Sequence, residues 1–200
     1  MSKWKMARLG DLTKIKTGKL DANASSGDGK HPFFTCSIEP LKISTYSYDC
    51  ECVLVAGNGD LNVKYFNGKF DAYQRTYIIE SNDKNILFVP YLYLFLSKYI
   101  DTLRELSIGG VIKYIKLGNL TNAMIPLPSM DVQKYLVDTL SKTTHLIDCR
   151  KQQLEKLDLM VKSRFIELFG DPVRNENGWE VGTIRDIVAE VKYGTSKPAN

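Results

Sequence analysis

Residues 129–169 contain neither glycine nor proline, and nothing else in this 200-residue chain constrains its fold as tightly. Pro128 precedes the run, Ser129 or Asp131 can cap its start, and Gly170 with Pro172 stops it. Inside it Leu136, Leu140, Ile147, Leu154, Leu157, Val161 and Leu168 follow a seven-residue rhythm. Steps of four and three run unbroken if Thr143, Arg150 and Arg164 fill the remaining seam positions. The pattern predicts one coiled-coil-forming helix, about 60 Å long for roughly forty residues at 1.5 Å each. A small domain cannot cover that length, so part of the seam should face another helix. Tyr135, Leu146, Met160 and Phe165 widen the apolar face and predict more than one packing partner.

The residues before the helix have a different texture. Residues 4–9 read as a short extended lead, and Gly10-Asp11 as the start of a short helix through Ile15. A polar loop with three glycines follows at 17–32, long enough to invite function. Residues 33–38 (FFTCSI) and 48–56 (YDCECVLVA) read as strands, the second buried. GNGD at 57–60 reads as a hairpin turn. Residues 63–79 read as strand, Asn67-Gly68 turn, strand. Residues 90–106 have helical spacing, and 111–128 read as strand, loop and short strand. The expected fold is a mixed α/β domain over 1–128, the long helix over 129–170, and a further segment over 171–200.

That last segment echoes the first. At an offset of 175, Trp4 falls on Trp179, Met6 on Val181, Leu9 on Ile184, Asp11 on Asp186 and Leu12 on Ile187; one extra residue then brings Gly18 onto Gly194. So long a period suggests two similar domains joined by a connecting element, not a solenoid.

Charge points towards a polyanion. Of the net +4, the whole surplus lies in residues 1–128, with Lys3, Lys5, Arg8, Lys14, Lys16 and Lys19 crowded at the start against Asp11. Such a face can bind a phosphate backbone through counterion release, or be no more than a solvated lysine surface. No run of about eighteen apolar residues exists, so no membrane span is expected, and the first residues do not read as a signal peptide. Cys36, Cys50, Cys52 and Cys149 lack the spacing of a zinc set and read as thiols in a reducing, cytoplasmic setting. There is no G-x-G-x-x-G after a strand, no P-loop lysine pattern and no N-P-P-[YF] segment, and His31 and His145 stand far apart. No catalytic residue and no metal ligand is assigned.

Residues 125–133 (IPLPSMDVQ) before a long helix resemble the I-P-L-P-P-x-x-E-Q signature of the specificity subunits of type I restriction-modification systems. Residues 165–172 (FIELFGDP) with Gly178-Trp179, and Trp4 with residues 9–12 (LGDL) and Gly18-Lys19, are similar to that family's domain boundaries. Ser129 stands where a second proline is usual, and Asp131-Val132 replaces an acidic pair. The resemblance implies a target recognition domain, its spacer helix and the start of a second recognition domain. It implies a non-catalytic subunit that binds double-stranded DNA and associates with a modification (methyltransferase) subunit and, through the complex, a restriction subunit. S-adenosylmethionine, Mg and ATP would belong to those partners.

Base reading needs donors and acceptors on loops, with cations on the phosphates. The candidates are Lys14, Lys16, Thr17, Gly18 and Lys19 in the first basic loop; Asn58, Asp60 and Lys64 at the GNGD turn; Gln74 and Arg75, the best bidentate readers; and Lys113, Tyr114 and Lys116 beside a glycine pair. Gly18 is expected to permit close approach. A homodimer through Leu136, Leu140, Ile147, Arg150, Leu154, Leu157, Val161 and Leu168 would read a palindromic, interrupted site. Two competing expectations stand beside this one: a coiled-coil scaffold without a DNA role, and a stand-alone enzyme.

Overall fold

A computed structural model describes residues 4–190. Lys3 and Gly194, named above, lie outside the described residues. The chain divides into two compact units, the first ending at Thr143 and the second beginning at Thr144.

The first unit is built on a six-stranded mixed sheet. Its strands are β2 (Thr13–Thr17), β3 (His31–Phe34), β4 (Leu41–Ile43), β5 (Tyr48–Ala56), β6 (Val63–Ala72) and β7 (Thr76–Ser81), in the order β2-β7-β5-β6-β3-β4. Among the named strands of the described residues only β3 and β6 pair in parallel, and an isolated parallel bridge joins Leu20 to Tyr73. β5 is central and covered on both faces, which is why it reads as a continuous apolar run. Val53 and Val55 enter one core with Ile79, Leu92, Leu96 and Leu103; Cys52 and Leu54 enter another with Phe34, Phe70 and Ile78. The first core lies under α2 (Val89–Leu106), whose buried positions Leu92, Leu96, Ile100 and Leu103 keep helical spacing.

A second, two-stranded sheet closes the unit. β1 (Lys5–Arg8) pairs antiparallel with β8 (Met124–Leu127), setting Lys5 opposite Leu127 and Arg8 opposite Met124. Between these strands lie α1 (Leu9–Leu12) and α3 (Leu117–Thr121). Leu9 is fully buried in the same core as Leu120 and Ile125.

The long helix α4 (Met130–Phe169) is continuous, as its composition demands. Gln133 is fully buried near its start. The Gln133 Oε1 accepts the Phe88 N–H at 2.9 Å, and Nε2 donates to the carbonyls of Ile86 (2.9 Å) and Pro128 (3.0 Å). The glutamine of the boundary signature thus caps the N-terminus of α2 and ties it to the end of β8. From Asp138 to Phe169 every residue except the half-buried Cys149 is exposed.

In the second unit, Gly170 adopts φ +75°, the left-handed conformation that ends a helix. The Trp179 indole N–H donates to the Phe169 carbonyl at 2.7 Å, satisfying a terminal acceptor. α5 (Ile184–Ile187) follows, with Thr183 and Asp186 forming a capping box. At the offset of 175, α5 is the counterpart of α1, and both are four-residue helices. Their burial differs: Leu9 is sealed, while Ile184 is 72% exposed.

Several expectations are corrected. The Asn67-Gly68 turn does not form. β6 runs straight through it, because β5 offers a ladder from Tyr48 to Val55 and Gly68 sits opposite Cys50. The reversal falls at residues 73–75 instead. The first helix stops at Leu12, since Ile15 pairs with Ile79 in the sheet. The strand expected over 33–38 is shifted to His31–Phe34. Residues 111–116 form no named strand; Tyr114 alone makes isolated bridges, and α3 occupies part of the expected loop.

Candidate nucleic-acid interface

Four chain segments meet at one end of the six-stranded sheet: the segment after β2, the β5–β6 turn, the β6–β7 turn and residues 108–116. Main-chain hydrogen bonds lace them together. The Gly18 N–H donates to the Thr76 carbonyl (3.0 Å) and the Gln74 N–H to that of Leu20 (2.9 Å). The Gly57 N–H donates to Arg75 (2.8 Å), the Gly59 N–H to Lys113 (2.9 Å) and the Ile115 N–H to Gly57 (2.9 Å). Ile108 and Tyr114 exchange both backbone bonds, closing a narrow loop. Backbone satisfied in this way holds side chains at fixed positions, as a recognition surface requires.

The result is an open cleft of about 470 Å³ that draws Thr17, Gln74, Arg75, Tyr114 and Lys116 from separate segments. Among the described residues the Arg75 guanidinium makes no hydrogen bond or ion pair, so its fork of donors is available. The Gln74 Nε2 donates to Asp21 Oδ1 at 2.9 Å. That bond uses one amide hydrogen and leaves Oε1 and the second hydrogen, the pair that a bidentate adenine contact needs. Tyr77 lines the same cleft and donates to the Ile115 carbonyl at 3.2 Å; burial pushes its phenol up.

Neighbouring clefts take other candidates. Asn58 and Asp60 line one of about 560 Å³ with Cys36, Tyr73 and Ile112. Lys113 and Asp60 line one of about 250 Å³ with Arg104. Asn58 is committed internally, since its Oδ1 accepts the Cys36 thiol at 2.8 Å. Asp60 lies 3.8 Å from the Arg104 guanidinium.

The remaining candidates are placed differently. Gly18 is buried: a Cβ there would lie 2.2 Å from the Ala72 carbonyl oxygen, so the close approach it permits is to its own chain. Lys16 is bonded to Glu80 at 2.7 Å, which holds its ammonium above the ordinary value although burial pulls it down. Lys14 is exposed on the same edge strand, and Lys19 is exposed just past Gly18. Lys64 is half-buried and donates to Asn62 Oδ1, and burial lowers its pKa. Sequence spacing did not signal Asp21, Tyr77 or Arg104, because Tyr77 reaches the site on β7, Asp21 from the loop after β2 and Arg104 from α2, and no local motif links them.

On α4 the seam residues Leu140, Ile147, Leu154, Leu157, Val161 and Leu168 are all exposed, Leu154 at 63%. Leu136 is an exception, packed partly against the core of the first unit with Val137. Arg150 donates to Gln153 Oε1 at 2.8 Å, and Arg164 pairs with Glu167 at 2.6 Å. Among the described residues no group of three or more His, Cys, Asp and Glu could hold a metal ion, and no helix is long and apolar enough to cross a membrane.

Residues 1–159 match the family described as type I restriction modification DNA specificity domain. The chain is 38% identical over 159 residues to the type I restriction enzyme EcoDI specificity subunit of Escherichia coli, covering 80% of this chain and 35% of that protein. It is 32% identical over 124 residues to the MjaIX specificity subunit of Methanocaldococcus jannaschii, covering 53% and 28%. The chain therefore spans about a third of the length of these relatives. In fold it is similar to the S subunit of a type I restriction-modification system from M. genitalium, with TM-score 0.64, 19% identity and coverage of 83% and 44%. It is also similar to the HsdS subunit of Thermoanaerobacter tengcongensis, with TM-score 0.59, 18% identity and coverage of 76% and 40%.

Proposed function

The chain belongs to the type I restriction-modification DNA specificity family, and from that premise we propose that its first unit reads duplex DNA for a modification complex. The observation that carries this reading is the convergence of Thr17, Gln74, Arg75, Tyr114 and Lys116 on one cleft from segments far apart in sequence. Arg75 offers two donors to guanine O6 and N7; Gln74, oriented by Asp21, offers an acceptor and a donor to adenine. Lys14, Lys19, Lys113 and Lys116 supply phosphate contacts that position without specifying. The role is recognition. Adenine methylation and DNA cleavage fall to a modification and a restriction subunit, which would carry S-adenosylmethionine, Mg and ATP.

The exposed α4 seam supports a second element of the proposal. Six apolar side chains along one helical stripe favour burial against a like helix. Two copies joined there, antiparallel, would present two reading heads related by a two-fold axis and read an interrupted palindrome. The test is binding of the chain, with its modification subunit, to duplex DNA across a salt series. The reading predicts affinity that falls steeply with salt, and an Arg75→Ala variant that loses roughly tenfold to a hundredfold at the target. Salt-independent or absent duplex binding refutes it.

A further inference from the structure

The loop closed by Ile108 and Tyr114 carries the least expected surface in the first unit. At its tip Val111 is fully exposed and Ile112 is 62% exposed, two adjacent aliphatic side chains held out into solvent. Isolated exposed apolar residues are ordinary, but this pair is presented by a tightly built support. Gly109 has φ +118°, and a Cβ there would lie 2.5 Å from the Ile112 carbonyl oxygen, so the chain doubles back on itself at this point. The reciprocal Ile108–Tyr114 bonds and the bond from Gly59 to Lys113 fix the base of the loop. Beside the tip, Gly110 faces open space, with nothing within 4 Å of where its Cβ would stand.

The surroundings identify the partner by charge. Lys113 follows the tip directly, Lys116 and Tyr114 line the cleft with Arg75, and Ile112 itself lines the neighbouring cleft with Asn58 and Tyr73. Asp60 shares the cleft that Ile112 lines, but Lys113 at the tip and Arg75 and Lys116 in the adjoining cleft leave cations in excess. An apolar tip with cations to one side suits a polyanion whose interior is apolar, which is the chemistry of stacked bases behind a phosphate backbone.

We infer that Val111 and Ile112 form a wedge that inserts between base pairs of the bound duplex and unstacks one step. The inference rests on the DNA-reading role proposed above and gives that role a mechanical part. Enzymes that modify a base take it out of the stack, and a wedge on the recognition chain lowers that cost for the modification partner.

The test uses the full chain with its modification subunit and duplexes of the site that methylation mapping identifies, with 2-aminopurine placed at each adenine in turn. The wild-type chain should raise fluorescence at one step. Val111→Ser with Ile112→Ser should abolish that rise and weaken binding about tenfold, with the salt slope unchanged. Ile112→Phe in the wild-type background should keep the rise, since a larger wedge unstacks equally well. Both positions are exposed, so neither change disturbs the core. Intact binding with no fluorescence rise in the wild type overturns the wedge and leaves DNA reading standing. So does a double variant that unstacks as before, one that loses only its association with the modification subunit, or a response only to removal of thymine methyl groups. A wild-type chain that ignores duplex DNA overturns the reading and the wedge together.

Discussion

Replacing Gln133 with methionine should be among the costliest single changes in the first unit, although the length of the side chain is preserved. The amide is fully buried and makes three bonds, to Phe88 N–H, Ile86 C=O and Pro128 C=O. Methionine fills the space and meets none of them. Each buried backbone group left without a partner costs about 1–3 kcal/mol, and partial relaxation keeps the total near the lower part of the summed range, about 3–5 kcal/mol. Against a typical stability of about 5–15 kcal/mol that is a large fraction. In urea, with a slope of about 2 kcal/mol per molar, the midpoint should fall by roughly 2 M. Gln152→Met, on the exposed part of α4, should shift stability by less than about 0.5 kcal/mol. A loss under about 1 kcal/mol for Gln133→Met would refute the argument that the signature glutamine is the tie between α2, β8 and α4.

Other outcomes follow from the same geometry. Leu154→Asp with Leu157→Asp should convert the sedimenting species to a monomer, with the urea midpoint of the first unit unchanged because these positions are exposed; a persistent dimer would reject the α4 seam. Asp21→Ala should weaken discrimination at one adenine of the target while leaving non-specific binding intact, as competition with altered duplexes would show, because it frees the Gln74 amide it now orients. Burial pushes the Glu51 carboxyl up, but hydrogen bonds from Lys84 and Tyr65 outweigh it and leave the group below its ordinary value. Its contribution is therefore present above about pH 4.5 and lost as pH falls through the folded value. Glu51→Gln should flatten the acid-side decline of the unfolding free energy, read from urea titrations, by under about 1 kcal/mol.

What could be read from the chain before its fold was known follows a physical divide. Local rules carried far where one element satisfies itself. The run without glycine or proline became α4, and the apolar run at 48–56 became β5. The echo at an offset of 175 surfaced as the matched helices α1 and α5. Local rules failed where a neighbour decides. Asn67-Gly68 has the chemistry of a turn, yet the β5 ladder holds it extended. Gly18 was expected to make room for a ligand, and the carbonyls of Ala72 and Tyr73 occupy that room. Thr17, Gln74, Arg75 and Lys116 were each legible as polar loop residues, but their meeting in one cleft depends on β7 lying between β2 and β5, which no spacing encodes.

The central claim is that this chain reads DNA sequence for a methylating partner, as one of two like heads. Methylome mapping of cells carrying the chain with its modification subunit tests it most directly. The account predicts a methylated adenine motif that is an interrupted palindrome, present only with this chain and erased by Arg75→Ala with Lys116→Ala. A methylation pattern indifferent to the chain, or one untouched by those substitutions, would contradict it.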